Sequence, residues 1–219
     1  MSTFKGPYMA LQLRLEEKDN VVWSTLLAGF NQIGDAEQGL TFYLEYVSKG
    51  HELDPFTFAS AFNLCSNLDY VGVGLQIHCS FIKSGFFLDS FVGNAVINMY
   101  ASAGMTSDAY KVLLEVRDKN EICFSAMIAG FIFNAEDIKA LELFSEMKKM
   151  GLTLDHSTIS YTIRACGNLD MLEEGNALLE MYSKFGRVEE AKMAFEEMEM
   201  PNEFSWTTII LSYTELDSL

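Results

Sequence analysis

The chain has 219 residues, 49% hydrophobic and 21% charged, with 15 Lys or Arg against 31 Asp or Glu and a formal net charge of −16. That apolar content excludes intrinsic disorder, and the sequence holds no apolar run of about 18 residues to cross a membrane. Three prolines favour helices over a turn-rich sandwich, and the acidic balance is not that of an electrostatic nucleic-acid binder.

Residues 1–19 carry Glu16, Glu17 and Asp19 and lack an apolar stretch with a small-residue cleavage site. They form a degenerate N-terminal segment with no evident secretory or transit signal; either no targeting segment exists or the chain begins after it. From 21 to 34 there is no charge, whereas 35–54 holds six charged residues. This predicts a first helix covered on both sides, then an amphipathic outer helix with the stripe Ala36, Leu40, Tyr43 and Val47. Uncharged stretches begin again near Phe56, Phe91, Ile122, Ser157 and Phe204. Region 136–155 is dense in charge, and its outer helix carries Ala140, Leu141, Phe144 and Met147. Gly34, Gly50, Gly85, Gly104, Gly151 and Gly186 stand where helices should stop. The acidic run 189–199 is a solvated outer face, and the Phe and Met content is mainly inter-helix core.

Shifted by 101 residues, the sequence realigns with itself. Ser24 falls on Ser125, Ala28-Gly29 on Ala129-Gly130, Asp54 on Asp155, Cys65 on Cys166 and Gly74 on Gly175. The 101 residues subdivide into steps of 35, 35 and 31. Such periods mark stacked helical hairpins, so the expected fold is all-α, a right-handed α-solenoid of helix-turn-helix repeats.

The residues then carry a resemblance. Val21-Val22-Trp23-Ser24-Thr25-Leu26-Leu27-Ala28-Gly29-Phe30, the Gln76-Ile77-His78 and Ile82-Lys83-Ser84-Gly85-Phe86 segments, Phe91-Val92-Gly93-Asn94-Ala95-Val96-Ile97-Asn98-Met99-Tyr100-Ala101, and Ala140-Leu141-Glu142-Leu143-Phe144-Ser145-Glu146-Met147 recur in register. The chain resembles the pentatricopeptide repeat proteins of plants that alternate P, L and S motifs. The resemblance covers roughly residues 20 to 213, within a repeat array of units 20–54 (P), 55–89 (L), 90–120 (S), 121–155 (P), a fused unit 156–202 and a partial unit 203–219. In the fused unit Asn176-Ala177-Leu178-Leu179-Glu180-Met181-Tyr182 repeats Asn94–Tyr100 at an offset of 82, so 19 residues are missing beside the intact copy. A single Gly175 serves for both Gly74 and Gly93. A helix over about 172–185 can still pack through Leu178 and Tyr182, and a third helix follows over about 188–198.

The resemblance implies that the first helices line a groove for single-stranded RNA, about one base per repeat, read by each unit's fifth and last side chains. Carried over, these are Ser24 with Asp54, Asn94 with Asn120, and Ser125 with Asp155. In the family, Ser or Thr at the fifth position goes with purines and Asn with pyrimidines; final Asp goes with G or U and final Asn with A or C. The implied order along 20–155 is G, any base, C or U, then G, from 5′ to 3′. Ala59 with Asp89 is given no base, because Ala59 has no hydrogen-bonding side chain. The fused unit offers Ser160 or Asn176 with Asn202, and Thr207 is the fifth residue of the last unit. The same residues also suit plain helix capping.

Catalysis is not expected. His51, His78 and His156 have no metal-ligand spacing, and Cys65, Cys79, Cys123 and Cys166 form no Cys-x-x-Cys pair. The zinc-deaminase signature is missing. No cofactor is implied. The expected function is an RNA-binding adaptor of organellar RNA processing or editing, in a mitochondrion or chloroplast by resemblance, meeting editing or processing proteins and no membrane. Arg164 is the only basic residue of the inner stretches, so few phosphate contacts are available. The alternatives are a protein-binding helical-repeat scaffold and a degenerate, non-binding member.

Overall fold

The computed structural model describes residues 20–68, 70–169, 172–184, 187–196, 198 and 201–216. The 1–19 segment and Gly186 lie outside these. Among the described residues there are twelve helices and no strand: α1 (Asn20–Ile33), α2 (Ala36–Ser48), α3 (Pro55–Leu68), α4 (Val71–Ser84), α5 (Ser90–Ser102), α6 (Thr106–Glu115), α7 (Glu121–Phe133), α8 (Asp137–Lys149), α9 (His156–Asn168), α10 (Leu172–Lys184), α11 (Val188–Glu196) and α12 (Glu203–Leu216). They form two compact units, one up to Phe87 and one from Leu88. Each is a stack of helix-turn-helix repeats, so the fold is an all-α solenoid.

The punctuation is local. Asp35, Asp89, Asn120 and Asp155 each accept a backbone N–H in the first turn of the helix they precede, which satisfies a donor the helix itself leaves open. Gly85 ends α4 at φ 76°, in the left-handed region that only glycine enters without strain.

In the first unit α1 packs on α2 and α3, and α3 packs on α2 and α4. The core centres on Trp23, 1% exposed, stacked on Phe42 with ring centroids 4.3 Å apart. The stripe of α2 differs from expectation at one position. Ala36, Leu40 and Tyr43 are buried, but Val47 is 41% exposed and Tyr46 is buried instead. Gly39 is the reason. A Cβ there would lie 2.6 Å from Leu64 Cδ2 and 2.9 Å from Phe30 Cβ. The missing side chain lets α2 press in along Gly39, which turns the buried face towards Phe42 and Tyr46.

In the second unit α5, α7 and α9 stand side by side, with α6 and α8 packed against them. Cys123 Sγ donates to Ser90 O (3.4 Å), and Asn134 Nδ2 donates to Ala101 O (2.9 Å). Both links span 33 residues, so α5 and α7 run parallel. Helix α7 buries Cys123, Phe124, Met127, Ile128, Phe131 and Ile132, as the uncharged stretch from Ile122 predicts, and exposes Ile122 and Phe133 near its ends. Helix α8 buries Ala140, Leu143, Phe144 and Met147, steps i, i+3, i+4 and i+7. Leu141, expected in that stripe, is only half-buried, and Leu143 takes its place. Leu178 and Tyr182 of α10 are buried, as the fused segment's pattern predicts.

One contact gives the second unit a pH dependence. Glu136 accepts from Lys139 Nζ and from the Thr106 hydroxyl at 2.7 Å. These bonds, the Lys139 bond first, hold its carboxyl below the usual range. A depressed carboxyl stabilises the fold above its unfolded-state pKa, and that contribution disappears as pH falls through the folded value. Urea midpoints should therefore drop on acidification through and below the ordinary Glu range, and Glu136→Gln should flatten part of that drop. Parallel midpoint curves for the two proteins would contradict this.

Candidate nucleic-acid interface

The last residues of the units sit ahead of first helices, and capping explains their placement. Asp155 Oδ1 accepts from Thr158 N at 2.8 Å and from Thr158 Oγ1 at 2.5 Å. Ser125 Oγ lies 3.5 Å from the same oxygen and bonds the Thr158 hydroxyl. One carboxylate oxygen therefore gathers the fifth residue of one unit and the first turn of the next. The other oxygen of Asp155 takes no part, and the residue is exposed. Asp54 repeats the cap, accepting from Thr57 N at 2.7 Å and Thr57 Oγ1 at 2.6 Å. Ser24 is buried like Ser125. Asp89 Oδ1 takes the Val92 N–H at 2.9 Å, and Asn120 Oδ1 takes the Cys123 N–H at 3.3 Å. Asn94 is half-buried, as is Ser160, while Ala59 is 2% exposed.

Of the two partners the sequence leaves for Asn202, Asn176 lies within hydrogen-bond reach of it. Asn176 Nδ2 donates to Asn202 Oδ1 at 3.4 Å, and Ser205 Oγ bridges them, 2.5 Å from Asn176 Oδ1 and 3.0 Å from Asn202 Oδ1. Asn176 and Asn202 are 26 residues apart, the same separation as Asn94 and Asn120. Thr207 is exposed and donates to Glu203 O at 2.7 Å.

The aromatic and apolar content, expected to be mainly core, includes one set of side chains that is not. Phe56, Phe91, Ile122 and Phe204 are 43–55% exposed. Each stands three residues before a fifth position, on the same helical face. An uncovered apolar side chain beside a polar pair suits an unpaired base, whose faces stack and whose edge hydrogen-bonds. The sequence signal for them is their recurrence at the head of four of the six uncharged stretches. Cation supply is small: Arg164 lies over the exposed Phe133 ring, Cζ 5.2 Å from its centroid. Burial pushes the Cys65 thiol up to about 11 and raises Cys123 as well, which keeps both protonated. Among the described residues no group of three His, Cys, Asp or Glu is placed to hold a metal.

The profile described as PPR repeat matches residues 21–51, 94–121, 122–152 and 176–200, more than half of the chain. The chain belongs to the pentatricopeptide repeat family. Among curated relatives of Arabidopsis thaliana, the pentatricopeptide repeat-containing protein At4g21065 is 32% identical over 90% of this chain and 37% of its own length. The mitochondrial pentatricopeptide repeat-containing protein At3g09040 is 26% identical over 92% of this chain and 21% of its own. This chain thus spans between a fifth and two fifths of these pentatricopeptide repeat relatives. Among solved structures, the pentatricopeptide repeat protein PPR10 in complex with an 18-nt psaJ RNA element matches with a TM-score of 0.70 at 18% identity, over 96% of this chain and 30% of PPR10. That likeness establishes a shared pentatricopeptide repeat fold.

Proposed function

We propose that this chain binds single-stranded RNA as an adaptor without catalysis of its own, reading one base per sound repeat. The observation that carries the reading is the Ser125–Asp155 pair: a hydroxyl 3.5 Å from a carboxylate oxygen, with Ile122 exposed one turn earlier. Asp155 keeps acceptor capacity beyond its cap, so it favours a base edge that offers N–H. The order is G, any base, C or U, then G, from Ser24 with Asp54, the silent Ala59 unit, Asn94 with Asn120, and Ser125 with Asp155. The PPR10 complex with RNA and the family membership support this class of ligand.

The finer reading follows the sequence. The resemblance, with steps of 35, 35 and 31 residues, supports the P, L and S subclass, and the offset change at Gly175 supports a 19-residue deletion in the fifth repeat. The role is in organellar RNA processing or editing, in a mitochondrion or chloroplast, beside proteins that supply the chemistry. The mitochondrial designation of two similar proteins supports the compartment. Selection from a randomised single-stranded RNA pool tests the function: the predicted G-any-(C or U)-G order should be enriched. If no RNA is retained or crosslinked under ultraviolet light while a pull-down holds a defined protein, the scaffold alternative replaces this reading.

A further inference from the structure

Helix direction decides which end of a unit each fifth position occupies. Helices α5, α7 and α9 run parallel in one row, with Ser125 near the start of α7 bonded to Thr158 near the start of α9. Asn94, Ser125 and Ser160 therefore share one end of the second unit. Beyond α9 the connections are short. Three residues separate α9 from α10 and three separate α10 from α11, and each pair packs together. Short connections between packed helices reverse the chain. Helix α10 thus runs against α9, and α11 runs with it.

Side-chain bonds agree. Arg187, just ahead of α11, donates from Nη2 to Leu154 O, just ahead of α9, at 3.5 Å and across 33 residues. That separation equals the one between Cys123 and Ser90 in the α5–α7 pair. Helix α11 also packs on α9. Meanwhile α10 takes α12 as its parallel neighbour: Ser205 bonds Asn176 at 2.5 Å, and Ser212 Oγ bonds Ser183 Oγ at 2.7 Å, both across 29 residues. The start of α10, with Asn176 and its partner Asn202, lies at the end opposite to Ser125 and Asp155.

We infer that the row of base-reading pairs in the second unit ends at α9, and that Asn176 and Asn202 do not read the strand that Ser125 and Asp155 read. This rests on the RNA-binding reading above. Two features fit a terminus. Three residues before Asn176 stands Glu173, exposed, where Ile122 and Phe91 stand in the reading helices. The helix that runs with α9, α11, exposes Glu189, and like charge repels a phosphate backbone; its other exposed acid, Glu196, lies 4.0 Å from Lys192.

Two measurements decide it. In a Cys79→Ser background, the pair Leu154→Cys and Arg187→Cys should be joined by a short bismaleimide, and Leu154→Cys with Glu173→Cys should not; the opposite pattern overturns the inference. In RNA selection, Asn202→Asp, which preserves the cap, should leave the enriched sequence unshifted, and a changed base at any position overturns it. Failure to bind RNA at all defeats the proposed function, while the crosslinks still judge the helix order.

Discussion

Replacing Trp23 by Ala is expected to remove about 3–5 kcal/mol from the stability of the first unit, the range for emptying a buried large aromatic site. Trp23 is the largest fully buried side chain. It stacks on Phe42, meets Tyr46 at 5.2 Å and His51 at 5.5 Å, and carries Lys49 Nζ 5.2 Å from its ring centroid. Truncation therefore frees a helix pair and the turn that follows it. Trp23→Phe should cost clearly less, because the indole Nε1 is buried without a hydrogen-bond partner and its removal orphans nothing. Urea unfolding followed by circular dichroism reads both variants. A Trp23→Ala loss no greater than that of Trp23→Phe would contradict this account of the core.

Asp155→Ala is expected to cost about 1–2 kcal/mol, combining a lost N-cap with a buried donor left unsatisfied. The Thr158 N–H loses its acceptor, the Thr158 hydroxyl keeps only Ser125, and Ser125 loses a neighbour. Asp155→Asn should retain most of that stability, because asparagine already caps α7 from Asn120 and the first turn of α12 from Asn202. Thermal unfolding of the two variants separates capping from charge: equal losses would show that the carboxylate charge, not the acceptor, holds the first turn. The Asn variant is thus a folded protein in which the proposed reading side chain alone is exchanged.

Much of this architecture is legible in the chain because it is written more than once. The offset of 101 residues, the alternation of uncharged and charged stretches and the glycines at helix ends all survive into the structure, as φ near 75° at Gly34, Gly50, Gly85, Gly104 and Gly151 shows. What was not legible depends on contacts between elements. The turn of the α2 stripe follows from Gly39 meeting Leu64, a neighbour no local period reveals. Phe91 and Ile122 have the chemistry of core residues, and only packing leaves them exposed. The contact of Asn176 with Asn202 through Ser205 depends on a helix 29 residues further along the chain. Likewise, spacing places Asn176 in register with Asn94, but spacing carries no direction; the reversal after α9 comes from the shortness of two connections and from Arg187 reaching Leu154.

The cap and the proposed reading pair share the same atoms, which explains why capping and binding both fit Ser125 and Asp155. A cap needs one acceptor lone pair, and a carboxylate has several. Folding and recognition are therefore compatible at one residue, and base preference is the property that tells them apart.

The most direct test is a parallel selection from one randomised single-stranded RNA pool with the natural chain and with Asp155→Asn. The natural chain should enrich G at the position facing Ser125 and Asp155. The variant should move that position to A and leave the others alone. Identical enrichment by both proteins, or a shift spread over every position, would contradict the claim that this pair reads a base.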